Sequence, residues 1–203
     1  MKHSLTSLST RKAASTVGVA FITSVLIVTL VDDFLLANFV IPGDTEILAK
    51  DIQSNVRLFH FAVVGYLAVL VLDTLIGIAL YFVLKPANIR LAWLTSALRL
   101  LYALTLVIGI FALVFQVIDV YGYAFIKGIG YIFFALHILL LGYSVLRSVY
   151  VPKSLGGLLI LASFTYIIFF VDVHLPKTFE VIIMSTMAIA ELSLSISAYC
   201  KKK

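Results

Sequence analysis

Charge is what this chain has least of. Asp, Glu, Lys and Arg make up 12% of its 203 residues and hydrophobic residues 63%, for a mean hydropathy of +1.15. So little charge excludes a soluble globule, which needs far more polar surface to cover itself. Cysteine is nearly absent. Cys200 is the single copy, which excludes an internal disulfide and leaves the redox compartment open. Missing too are a nucleophile with its base, a phosphate-cradling glycine loop, a cofactor fingerprint and any HxxxH or HExxH spacing. No catalytic constellation, cofactor or resident metal is therefore expected.

Six apolar runs are present instead: Ala13–Val31, Phe59–Leu84, Leu91–Phe115, Ala124–Leu146, Leu155–Val171 and Phe179–Tyr199. About 20 apolar residues cross a hydrocarbon core of about 30 Å as a helix. The predicted fold is all-α: a polytopic membrane protein with six transmembrane helices in one compact bundle, at about 13–41, 57–84, 90–115, 123–147, 154–173 and 178–199. Residues 1–12 form a polar arm and 200–203 a basic tail. The short connections leave no room for a large extramembrane module. The first run follows Arg11-Lys12 as a signal peptide would. It is long, however, and meets Asp32-Asp33 without a small-residue cleavage pattern, so an uncleaved helix is expected.

Acidic residues are missing from one set of connections altogether. That set holds Lys2, Arg11, Lys12, Lys85, Arg90, Arg147, Lys153, Lys201, Lys202 and Lys203. The other holds Lys50, Arg57, Lys127 and Lys177 with eight carboxylates, Asp32 and Asp33 among them. Ten basic residues against four put the first set, and both termini, on the cytoplasmic side of an inner (plasma) membrane. Anionic lipid accounts for the basic rim at about 1 kcal/mol per Lys or Arg, with no need of nucleic acid. Expected partners are membrane lipids and a small solute or cation. Cys200 beside three lysines is read as an unmodified thiol, with palmitoylation as the alternative. Tyr121, Tyr123, Tyr131, Tyr150 and Tyr199 fall near predicted helix ends, where interfacial aromatics belong.

Four ionisable side chains interrupt the apolar runs: Asp73, Arg99, His137 and Glu191. Each stands nine to twelve residues from a basic flank, Lys85, Arg90, Arg147 and Lys201 respectively. That is roughly 14–18 Å from one membrane face, so the four are predicted to form a single polar layer. A charge in hydrocarbon costs several kcal/mol unless paired or hydrated, which makes such residues a functional-site hypothesis. Asp73 and Arg99 flank one hairpin and suit a mutual ion pair, either a lock or a working element. Glu191 shares a helix face with Ser195. Which carboxylate holds Arg99 stays open. His137 suits a core imidazole, a proton acceptor or, with Asp73 and Glu191, a metal ligand. Asp32 and Asp33 would enrich cations at an outer vestibule. Leu80–Lys85 faintly echoes Gly142–Arg147, as chance also would.

Ile41-Pro-Gly-Asp44, Arg57-Leu-Phe59, the run from Asp73 through Ala79-Leu-Tyr81 to Leu84-Lys-Pro86, and Leu98-Arg-Leu100 come in order. Phe133-Phe-Ala-Leu-His-Ile-Leu-Leu-Leu-Gly-Tyr143, Arg147-Ser148, Tyr150 and Pro152 follow. This pattern resembles the prokaryotic multi-pass membrane family known as domain of unknown function 4386, over about residues 13–199. The resemblance implies an inner-membrane protein of six or so helices with no established activity, and puts Asp73, Arg99 and His137 on motif positions. The connection before the fourth run is shorter than the family pattern implies. Three functions stay in view: small-solute or proton/cation handling or ligand sensing at the layer, supported by Ser195 and Tyr143; a non-transporting scaffold or accessory subunit whose layer is structural; and an intramembrane lipid-acting enzyme using His137 and a carboxylate.

Overall fold

The computed structural model describes residues 2–35, 55–86, 88–115, 117–118, 120–147 and 152–170, together with positions 178, 181, 185 and 189. Five α-helices run through them: α1 Lys2–Thr29, α2 Val56–Leu84, α3 Ile89–Val114, α4 Val120–Leu146 and α5 Lys153–Phe170. α1 continues into a π-helical segment, Leu30–Leu35. The polar stretch set apart in the sequence as an arm is thus helical from Lys2, and regular α geometry ends just before Asp32-Asp33. The segment between the first two predicted helices, 42–56, lies almost wholly outside the described residues.

Helix ends follow local chemistry. α2 stops at Leu84: Lys85 keeps α geometry (φ −55°, ψ −31°) and still donates to the Tyr81 carbonyl, but Pro86 has no N–H with which to continue the ladder. Asn88 then caps α3 from an extended conformation (φ −159°, ψ 111°). Its Oδ1 accepts from the backbone N–H groups of Arg90 at 3.0 Å and Leu91 at 3.1 Å. These are donors that the first turn of a helix leaves unpaired. α5 begins after Pro152, whose carbonyl accepts from the Leu155 N–H at 3.1 Å.

Each helix packs on its neighbours in the chain: α1 on α2, α2 on α3, α3 on α4 and α4 on α5. The short turns after α2, α3 and α4 make α2 through α5 successive antiparallel hairpins. Tyr66, Ile76, Leu106, Ile110, Ile138 and Leu159 are wholly enclosed between them. The outer faces are just as apolar: Phe61 and Val64 on α2, Trp93 on α3, Phe125 on α4 and Leu161 on α5 are all exposed. Helices hydrophobic all round belong in lipid. Among the described residues Val56–Leu84, Ile89–Val114 and Gly122–Leu146 are long and apolar enough to cross a membrane. They suggest a membrane protein. Ser15–Thr29 and Lys153–Ile167 are shorter apolar helices. The expected sixth span at 178–199 lies outside the described residues, apart from positions 178, 181, 185 and 189.

The α4–α5 crossing is a backbone contact. A Cβ added to Gly142 would sit 2.9 Å from the Gly156 carbonyl oxygen, and one on Gly156 would sit 2.9 Å from that of Gly142. Only glycine on both sides lets helices approach this closely.

Candidate functional site

Asp73 from α2, Arg99 from α3 and His137 from α4 meet inside the bundle. The Arg99 guanidinium donates twice to one carboxylate oxygen, Oδ1 of Asp73: from Nη2 at 2.7 Å and from Nε at 3.2 Å. Ser24 of α1 adds a long hydrogen bond, 3.4 Å from its Oγ to the same oxygen. Arg99 Nη1 stands 3.5 Å from His137 Nε2. The other ring nitrogen, Nδ1, lies 2.8 Å from the Thr95 carbonyl oxygen. Those two neighbours assign the tautomer. A carbonyl can only accept and a guanidinium can only donate, so Nδ1 carries the proton and Nε2 is the acceptor. The imidazole is therefore neutral, and the three residues together carry no net charge.

Burial makes this arrangement matter energetically. Asp73 is 1% exposed, Arg99 2% and His137 0%. An isolated charge so placed would cost several kcal/mol, and the pair offsets that cost by direct contact and shared hydrogen bonds. Aromatic faces complete the shell. Arg99 Cζ lies 5.0 Å from the centre of the Phe134 ring and 5.7 Å from that of Phe21. Both are within cation–π range. Phe134 also meets Tyr102 of α3 and Tyr166 of α5, each with ring centres 4.6 Å apart. The layer is thus clasped by rings from α1, α3, α4 and α5.

The sequence leaves Arg99 between two carboxylates; in the structure Asp73 holds it. Glu191 and Ser195 lie outside the described residues, as do the side chains of Asp32 and Asp33. Tyr143 is 38% exposed, with the Arg147 guanidinium 4.8 Å from its ring centre, and is not part of the layer. Among the described residues no three His, Cys, Asp or Glu side chains converge as metal ligands would. Among the described residues the layer's polar groups are one carboxylate, one guanidinium, one imidazole and hydroxyls.

Sequence reasoning missed Ser24, Thr95 and Ser96. Thr95 and Ser96 stand four and three residues before Arg99, hence on its face of α3. That spacing was the available signal. It also misplaced two tyrosines. Tyr123, expected at the interface, is buried and donates to the Tyr66 hydroxyl of α2 at 2.6 Å. Tyr131 lies well inside α4, its ring centre 6.4 Å from that of Tyr166. Helix ends drawn from hydropathy alone do not say which way a ring turns.

The profile of the family described as Domain of unknown function (DUF4386) matches residues 16–120 and 114–196. An uncharacterized protein of Archaeoglobus fulgidus is 34% identical over 123 residues, covering 61% of this chain and 74% of that protein. No solved structure matches. Most of the chain lies within the family match, the Asp73, Arg99 and His137 positions included, and the chain belongs to the DUF4386 family.

Proposed function

We propose that this is a multi-pass protein of the prokaryotic inner membrane, with six spans and both termini cytoplasmic, whose polar layer is a clamp that fixes the register of α1 to α4. In this reading it is a non-transporting scaffold or accessory subunit, working through the faces it presents to lipid and to other membrane proteins. One observation carries the clamp: three donors converge on Asp73 Oδ1 while Asp73, Arg99 and His137 are all sealed from solvent. His137 is fully enclosed, with no lateral opening for a lipid acyl chain at its ring, so a lipid-acting enzyme is the least supported alternative.

The test is a double-mutant cycle. Asp73→Leu or Arg99→Leu alone strands a buried charge and should destabilise the protein by about 3–5 kcal/mol. Asp73→Leu with Arg99→Leu removes both charges and should recover most of that loss in thermal unfolding and in membrane abundance. A double variant no more stable than the worse single would sink the clamp.

A second reading, small-solute or proton/cation handling or ligand sensing, rests on a different observation: two buried hydroxyls beside the clamp, on Thr95 and Ser96, have no hydrogen-bond partner. It expects proteoliposomes to show a proton or cation flux that Asp73→Asn removes while abundance holds.

A further inference from the structure

Six buried or part-buried Ser and Thr side chains lie on α3, α4 and α5, and two of them depart from the rule the others follow. Helical Ser and Thr ordinarily give their O–H to a carbonyl three or four residues back. Thr105 does so to Tyr102 at 2.7 Å, Ser144 to Leu140 at 2.8 Å, Ser163 to Ile160 at 2.6 Å and Thr165 to Ala162 at 2.6 Å. Even the exposed Thr23 bonds the Val19 carbonyl at 2.9 Å. Thr95 and Ser96 do not. Among the described residues, theirs are the buried side-chain oxygens with no hydrogen-bond partner. Thr95 is 0% exposed and Ser96 8%.

Their location is specific. The Thr95 carbonyl holds His137, and Arg99 follows one turn later on the same face of α3. On the other flank, α2 crosses at Gly77, where a Cβ would lie 3.5 Å from the Ser96 carbonyl oxygen and 3.4 Å from Leu100. Gly77 is one turn beyond Asp73. Both residues therefore belong to the turn of α3 whose backbone meets α4 at His137 and α2 at Gly77, beside the polar layer.

We propose that Thr95 and Ser96 hold an internal water there, as a built part of the layer. A buried hydroxyl without a partner is strongly disfavoured, and bound water is the usual way a fold satisfies one. Each hydroxyl supplies one donor and two acceptor sites, which a water can meet from both sides. Charge argues for a neutral ligand: a cation would face the Arg99 guanidinium, an anion the Asp73 carboxylate. The water makes the layer a hydrated network rather than a dry ion pair. The inference holds whether the layer is a clamp or a conduit.

The experiment uses the full chain in lipid nanodiscs, with Thr95→Val and Ser96→Ala singly and together. If the hydroxyls share a water, each variant lowers the unfolding midpoint, and the double falls no further than the worse single. If they are merely orphaned, removing them raises the midpoint or leaves it unchanged, and the proposal is overturned. X-ray radiolytic labelling in ¹⁸O-water gives a second readout at His137 and Phe134, which bulk solvent does not reach. Label is expected there in the parent and in Thr95→Ser, which keeps its hydroxyl, and is lost in the double variant. A fall in the midpoint without such label would assign the hydroxyls to protein partners and equally overturn the inference.

Discussion

Arg99 does three things at once, and each depends on the shape of the guanidinium. Two of its nitrogens bind one Asp73 oxygen, a third faces His137, and its Cζ lies within cation–π range of Phe21 and Phe134. A lysine ammonium keeps the charge but presents a point where the fork presented an edge. Arg99→Lys should therefore lose at least one charge-assisted hydrogen bond, about 1.5–3 kcal/mol of stability in thermal or denaturant unfolding. A variant as stable as the parent would mean that charge alone holds the layer. The sequence makes Asp73, Arg99 and His137 visible because a charge or imidazole inside an apolar run is conspicuous. It hides Ser24, Thr95 and Ser96. Hydroxyls occur throughout these helices, and whether one bonds its own backbone is decided by a rotamer that no spacing reveals.

Glycine sets the approach of the helices, but not every glycine does so. At Gly142 an added methyl would meet the Gly156 carbonyl at 2.9 Å and the Ile160 backbone nitrogen at 3.0 Å, atoms that cannot rotate away. Gly142→Ala should push α4 from α5 and cost about 1–3 kcal/mol. At Gly77 the same methyl finds ordinary contacts of 3.4 Å and beyond. Gly77→Ala should be neutral, or stabilising by about 0.5–1 kcal/mol through the backbone freedom it removes from the unfolded chain. The difference between the two unfolding midpoints is the measurement. Equal effects would mean that the α4–α5 crossing has slack that its geometry does not suggest. Gly156 and Gly157 are neighbours at the start of α5 and look alike in the sequence. Gly156 touches α4, whereas a Cβ on Gly157 would meet nothing within 4 Å. Composition finds a glycine-rich helix start, but only the crossing says which of two neighbours faces the partner.

At the scale of the whole molecule, hydropathy and helix length give different pictures of the same runs. Both register α2, α3 and α4, which exceed the roughly 20 residues a bilayer core requires. The first run diverges: its apolar helix, Ser15–Thr29, gives way to π geometry at Leu30–Leu35, around the adjacent carboxylates Asp32 and Asp33. A sliding average passes over such a change in winding. Lys85, Arg90, Arg147 and Lys153, four of the ten basic residues counted to one side, are gathered at one end of the bundle by the antiparallel order of α2 to α5. With Cys200 replaced by serine, a cysteine at Asn88 should react with a membrane-impermeant maleimide only after the cells are permeabilised. One at Ser54 should react on intact cells. The same ends carry aromatic rings under their cations: Lys85 Nζ lies 4.4 Å from the Phe82 ring centre and 5.7 Å from that of Tyr81, and Arg147 Cζ lies 4.8 Å from that of Tyr143. A snorkelling cation over an interfacial ring marks a headgroup boundary. The opposite labelling pattern would invert the bundle, and would also require both cations to sit at the outer surface against the charge bias of the chain.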